Sequence, residues 1–268
     1  MQYDPIKNIL GRIVAKNILL RKIFYHLLDL IFLRTWYVKR EIKKLFNKES
    51  EISILDAGMG FGQYTYFLSK YFKNSKIKAI DIKEDQIKDC QYFFNKSGCL
   101  NVSIEYADLR EIKYDSEFDL VISVDVMEHI EEDQIVFNNL YKSIKKGGYL
   151  LVNTPSDIGG SDVHTETDKS FIEEHARDGY SMNELKNKLS LSGFEINKLK
   201  YSYGKFGRLY WLLGMKYPIS LVGFNKIFLI LLPIYYLITI VPILILMISD
   251  YLSDNKSGSG IIIIAKKL

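Results

Sequence analysis

Apolar positions in the first fifty residues recur at helical spacing: Ile23, Leu27, Leu28, Ile31 and Phe32, then Trp36, Val38, Ile42 and Leu45. That periodicity predicts helices over 6–47. From residue 52 the pattern changes to short apolar runs that alternate with helical stretches. Strands are predicted at 52–56, 76–81, 102–106, 118–124, 149–153, 194–200 and 261–265, and helices at 63–72, 84–95, 133–146 and 181–191. Gly147 and Gly148 suit the C-terminal end of the helix over 133–146. Ser181 suits an N-cap. Four consecutive isoleucines in the last strand fit burial on both faces. Such alternation predicts an α/β fold with a mostly parallel sheet covered by helices on both sides. Ligands of these sheets bind beyond the carboxyl ends of the strands, near the switch point.

One stretch breaks the alternation. Residues 227–248 carry no charge and would form a helix about 33 Å long, enough to cross a bilayer. Pro233 and Pro242 each remove a backbone donor and predict a break or kink. The strands on either side belong to one sheet, so the chain leaves and returns on the same side of any membrane. The expectation is a bent helical excursion, interfacial or re-entrant, with 204–259 projecting beside the ligand edge. Leu209, Trp211, Leu212, Leu213, Tyr217, Phe224 and Phe228 would supply its docking surface. A buried cap or a homodimer interface is the alternative.

Composition refines this picture. The 268 residues are 48% apolar and 25% charged, values of a globular chain. They suit one α/β domain (51–203 and 260–268), basic amphipathic N-terminal helices (1–50) and the hydrophobic insert (204–259). The formal charge of +4 is unevenly spread, with eleven basic against four acidic residues in 1–50. A basic end points to a membrane surface or a nucleic acid; a solvated helix face explains it equally well. Cys90 and Cys99 lack metal or redox spacing and read as reduced structural thiols. Arg12, Lys16, Arg21 and Lys22 interrupt every early apolar stretch, which argues against a signal peptide and for a cytoplasmic protein.

The chemistry concentrates at strand ends. The first strand runs into Asp56-Ala57-Gly58-Met59-Gly60-Phe61-Gly62, where glycines let a ligand lie on bare backbone. Gln63 stands where a dinucleotide fingerprint would place its third glycine. Asp81 ends the second strand and could accept a ribose diol; Asp108 follows the third and could accept an exocyclic amine. Each alone is an ordinary loop carboxylate. Three such features in register favour an adenosine ligand.

These residues, with Phe118-Asp119-Leu120-Val121 and Asp125-Val126-Met127-Glu128-His129, resemble the ordered motifs of class I S-adenosylmethionine-dependent methyltransferases. Glu128-His129 and Lys146-Gly147-Gly148 are most similar to the branch containing the ubiquinone-biosynthesis O-methyltransferases. The resemblance covers about 50–200 and the terminal strand. It implies a Rossmann-like sheet in strand order 3-2-1-4-5-7-6 and S-adenosyl-L-methionine as cofactor. Asp56 and Gly58, Gly60 and Gly62 would hold its methionine part, Asp81 the ribose and Asp108 the adenine, with Asp125 at the cofactor site. A nicotinamide enzyme is the competing cofactor reading, weakened by Gln63.

Methylation of a hydroxyl also needs a base. His129, paired with Glu128, follows the fourth strand and is the candidate, against the plainer reading that the two residues start the next turn. A divalent metal on Asp125, Glu128 and His129, completed by His164 or His175, competes with both; some relatives carry a glutamate at the first position, and Asp125 has a shorter reach, so no metal is expected. The long connection 154–180 suggests a binding loop. It supplies His164, His175, Arg177 and Tyr180 as substrate-contact candidates, although Arg177 could simply pair with Glu173 or Glu174.

The expectation is a peripheral enzyme on the inner face of the membrane, methylating oxygen of a small lipophilic or lipid-linked acceptor. The alternatives are a non-catalytic adenosine-binding scaffold and a methyltransferase on a soluble molecule or RNA with the insert as a dimer interface. No nucleic acid is expected, because no Asn-Pro-Pro-Tyr-type motif follows the fourth strand.

Overall fold

The computed structural model describes residues 17–159, 176–225 and 227–268. Helix α1 (Ile18–Ile31) starts at Asn17, whose side-chain oxygen accepts the Leu19 and Leu20 N–H groups. Helix α2 (Leu33–Leu45) follows after Phe32. The sheet and its helices come next: β1 (Ser53–Ala57), α3 (Gln63–Tyr71), β2 (Lys76–Asp81), α4 (Glu84–Lys96), β3 (Val102–Tyr106), β4 (Phe118–Val124), α5 (Asp133–Ser143), β5 (Ile144–Pro155), α6 (Met182–Leu191) and β6 (Glu195–Ser202). After the insert, β7 (Gly260–Lys266) completes a seven-stranded sheet in the order β3-β2-β1-β4-β5-β7-β6. β7 is antiparallel to both neighbours. The expected topology is the observed one.

Most element ends fall within one or two residues of expectation, and one junction differs by more. The helix begun at Asp133 stops at Ser143, and Ile144 already pairs with Phe118 in the sheet. The glycine pair therefore lies inside β5. Gly147 has φ +84°, and a Cβ on Gly148 would meet the Asp119 carbonyl at 2.9 Å. The pair lies at a register irregularity between Phe118 and Leu120, where Gly147 supplies the positive φ and Gly148 the close approach of the strands.

The sheet is packed on both faces. Leu55, Val121, Val152 and Ile263 meet α5 and α6 on one side. On the other, Ile54, Leu120, Leu151 and Ile264 meet Tyr37 and Ile42 of α2 and Leu68 of α3. Each such side chain contributes roughly 1.5–3 kcal/mol by leaving water.

The insert is a helical hairpin. Its outgoing arm comprises α7 (Lys205–Trp211), a π-helical turn (Leu212–Lys216) and α8 (Tyr217–Phe224); α9 (Phe228–Leu252) returns. The π turn has a local cause. Tyr217 N–H bonds Leu212 O, and Pro218 has no N–H, which strands the Leu213 and Gly214 carbonyls. Tyr235 and Tyr236 of α9 donate their hydroxyls to those two carbonyls, at 2.6 and 2.8 Å, and fasten the arms together. The predicted break at Pro233 and Pro242 does not occur, because α9 runs through both as one helix. Both prolines sit on exposed faces, where a lost backbone bond leaves no buried group unpaired. Only Ile243, Met247 and Asp250 of α9 are buried, and the side chains beyond them project from the domain.

Candidate cofactor and acceptor site

The first five strands deliver their carboxyl ends to one edge, and the glycine loop leaves β1 there. Gly58, Gly60 and Gly62 all have positive φ (+87°, +51° and +74°). A Cβ on Gly58 would lie 2.4 Å from Val126, and one on Gly62 would lie 3.0 Å from Phe94. Gly60 differs: nothing stands nearer its Cβ direction than Gln86 at 4.0 Å. The loop is thus pinned at both ends and bare in the middle, as a cradle for a ligand requires.

The acidic residues divide into two groups. Asp81 lies under the loop and accepts Gly60 N–H and Lys83 N–H, both at 2.9 Å, one on each oxygen. A carboxylate has about four acceptor positions, so capacity remains for a diol. Asp56, by contrast, is buried beneath the loop and accepts the Thr65 hydroxyl at 2.5 Å. Burial pushes its pKa up to about 7. It braces β1 against α3. Asp108 is clamped by Arg110 at 2.6 Å, which also pairs with Glu132 at 3.4 Å. Hydrogen bonding from Arg110 holds the Asp108 carboxyl below its ordinary range.

After β4 the chain makes a sharp turn. Asp125 takes φ +54°, uncommon for a residue other than glycine, and its N–H bonds Asn153 O at 2.8 Å. A 3-10 turn (Met127–His129) follows. Glu128 is buried with Thr154 Oγ1 donating to it at 3.2 Å, whereas His129 is exposed. Burial, then the charge of Asp125, raises the Glu128 pKa to about 8. Of the expected pair, Glu128 therefore holds the interior position.

Two of the substrate-contact candidates fall elsewhere. Tyr180 is fully buried, donates to Asp133 at 2.6 Å and bonds Met127 O at 3.0 Å. Arg177 pairs with Asp133 at 3.0 Å and Glu184 at 3.2 Å; Glu173 and Glu174, its expected partners, lie outside the described residues. Ala176 and Arg177 both donate backbone N–H to Glu128 O, at 3.0 and 3.3 Å. These residues brace the turn that carries Glu128, so their side chains are committed to the scaffold. His164 and His175 lie outside the described residues. Among the described residues no three His, Cys, Asp or Glu side chains gather as a metal site.

The N-terminal helices complete the site, which the sequence does not announce. Arg21 of α1 is 3% exposed and reaches Phe61 O, Asp89 O and Cys90 Sγ at 3.0 Å each and Tyr25 Oη at 2.8 Å. The Tyr25 hydroxyl also donates to Phe61 O. Gln63, displaced from a glycine's role, donates to Asp29 at 2.9 Å. From α2, Arg34 forms an ion pair with Asp125. Lys39 pairs with Asp29 at 2.5 Å, and Arg40 bonds Tyr251 O at 2.9 Å. Among the described residues, Arg21, Arg34, Lys39 and Arg40 of the basic N-terminal stretch thus find partners within the protein. Nothing in the sequence of α1 separates the buried Arg21 from its neighbour Lys22.

Comparison with known proteins agrees with this geometry. Residues 48–206 match a methyltransferase domain family. The chain is 29% identical to the ubiquinone biosynthesis O-methyltransferase of Rickettsia prowazekii, over 46% of this chain and 47% of that protein. It is 27% identical to the malonyl-[acyl-carrier protein] O-methyltransferase of Acetivibrio thermocellus, over 67% of each. The chain spans about half the length of the first curated relatives it matches. Among solved structures, phosphoethanolamine N-methyltransferase 2 of Haemonchus contortus superposes with TM-score 0.60 at 18% identity, over 84% of this chain and 51% of that one. This likeness shows the shared fold.

Proposed function

From the premise that the chain belongs to the class I S-adenosylmethionine-dependent methyltransferase family, we propose that it methylates an oxygen of a lipophilic acceptor at a membrane surface. The observation that carries the cofactor half is the open, positive-φ backbone of Gly60 with Asp81 beneath it. Gly58, Gly60 and Gly62 would take the methionine part of the cofactor on their backbone, Asp81 would accept the ribose diol, and Asp125 would border the donor. Asp56 acts from below as a brace. Asp108 would reach the adenine once Arg110 yields.

When bound, S-adenosylmethionine supplies a methyl carbon activated by sulfonium. The acceptor oxygen forms the new bond to that carbon as the carbon–sulfur bond breaks, and its electron pair stays on the neutral thioether. The remaining event is loss of the acceptor proton. Glu128 in its ionised form would take it, and Thr154 and the backbone bonds from Ala176 and Arg177 hold the turn that carries it. His129, the other candidate base, lies exposed on the same turn.

The acceptor class is supported by the hairpin. Ile230, Leu237 and Ile238 are 74%, 78% and 71% exposed, and Phe224 near its tip is 84% exposed. Helix α9 is long and apolar enough to cross a bilayer, and 6% of its most apolar window is buried. A hairpin that leaves and re-enters at the ligand edge is suited to lie in one leaflet and take substrate from it. Two curated relatives are named as O-methyltransferases, one of them in ubiquinone biosynthesis. The test is transfer of a labelled methyl group to a prenylated catechol in vesicles, compared with the unprenylated catechol in solution. Preference for the prenylated compound together with flotation on vesicles supports the proposal. Equal rates without flotation refute its membrane half.

A further inference from the structure

Arg34 lies outside the family-matched segment, yet its guanidinium sits against Asp125 at the carboxyl end of β4. It is not loosely placed. Its backbone N–H, at the start of α2, donates to Tyr203 Oη at 3.1 Å. Tyr203 itself holds φ +55°, and its N–H bonds Asp250 Oδ2 at 3.1 Å. Asp250 is fully buried; its carboxylate also accepts Gly207 N–H at 3.0 Å and the Tyr37 hydroxyl at 2.9 Å. The end of β6, α7 and α9 therefore fix the start of α2, from which the arginine projects. Tyr64 and Tyr203 complete an aromatic surround within electrostatic reach of the pair.

A carboxylate beside a sulfonium binds the reactant cation. That charge disappears as the carbon–sulfur bond breaks, so an unmasked Asp125 would stabilise the bound donor more than the transition state, which opposes turnover. We propose that Arg34 is a positioning residue that balances the charge of Asp125, so that the donor face of the site is nearly neutral and does not overbind the cationic cofactor. The inference rests on the reading above that Asp125 borders the donor.

Because the cofactor is a cation and its demethylated product is neutral, the two ligands report this charge without any acceptor. Isothermal titration of the full chain with S-adenosylmethionine and with S-adenosylhomocysteine gives the ratio of their dissociation constants. Arg34→Gln is expected to move that ratio toward the cation by about tenfold, ~1.4 kcal/mol. Asp125→Asn, which removes the carboxylate charge of the pair, is expected to move it the other way. Arg34→Lys keeps the charge and is expected to stay within about threefold of wild type. A general folding defect would weaken both ligands alike and leave the ratio unchanged, so opposite shifts in the two variants are specific to charge. A ratio within about twofold of wild type in both Arg34→Gln and Asp125→Asn overturns the inference. Failure of the wild-type chain to bind either ligand overturns the cofactor reading, and the inference falls with it.

Discussion

Replacing Arg21 by methionine tests whether α1 is part of the cofactor site or a peripheral helix. The guanidinium is almost fully buried and makes directed bonds to Phe61 O, Asp89 O and Tyr25 Oη, with its Cζ 4.7 Å from the Phe93 ring centroid. Hydrogen bonds to a charged donor contribute roughly 1.5–3 kcal/mol each. Against these stands the desolvation of the charge, several kcal/mol for a buried ion. Methionine fills much of the same volume and leaves the Tyr25 bond to Phe61 O intact. A net loss of about 3 kcal/mol follows, which for a chain of this size corresponds to roughly 6–12 °C in Tm. Phe61 belongs to the glycine loop, so loss of this clasp is also expected to weaken S-adenosylmethionine binding by about tenfold. Arg21→Lys keeps the charge but not the fork geometry and is expected to fall between the two. Differential scanning fluorimetry and titration calorimetry on the same samples decide the matter. A Tm within about 2 °C of wild type and an unchanged dissociation constant would refute the reasoning.

Other expectations separate binding from folding. Gly60→Ala places a methyl group in open space at φ +51°, so a modest stability loss of about 1 kcal/mol is expected alongside at least a tenfold loss of cofactor affinity; equal affinity would show that this face is not the cradle. Glu128 and Asp56 have pKa values raised to about 8 and about 7 from ordinary values of 4.5 and 3.8. The folded chain then holds more protons than the unfolded one between those limits, so these groups make stability fall as pH rises through that window. Glu128→Gln is accordingly expected to gain Tm relative to wild type from pH 5 to pH 8 while losing methyl transfer, and a pH-independent difference would contradict the assignment. Changing Ile230, Ile234, Leu237 and Ile238 to serine is expected to abolish vesicle flotation with cofactor affinity unchanged; persistent flotation would exclude this face as the docking surface.

Strands β2, β3 and β4 are legible in the sequence residue for residue, because each is a short apolar run bounded by turn residues. The glycine loop and Asp81 are equally legible, since their roles depend on local backbone and fixed spacing. Interactions between distant segments are not. Arg34 and Asp125 are 91 positions apart, and neither carries a local sign of the other. On α1 the usual rule is inverted: Arg21 is buried while Leu19, Ile23 and Leu27 are 66%, 46% and 50% exposed. Periodicity marks an apolar face but does not say which face meets the protein. The same limit applies to Pro233 and Pro242, whose helix-breaking tendency is overridden where the stranded carbonyls are not buried.

Ser202 of β6 stands directly opposite Gly260 of β7, and Ser259 N–H bonds Tyr203 O at 3.1 Å. Topologically, then, the whole hairpin is the turn of an ordinary antiparallel strand pair. Loop-closure entropy grows only logarithmically, so widening such a turn from a few residues to several tens costs about 2 kcal/mol. A sheet of this kind can accept a new module at that point without rearranging a single strand. Asp250 and the buried Ile243 and Met247 are what turn such a graft into a component: they bond it and pack it to the body of the enzyme, so that trimming back to a short turn would leave a sound sheet with an opened flank. The strand junction at the carboxyl edge of the sheet is thus also the place where this fold can most cheaply exchange one inserted module for another.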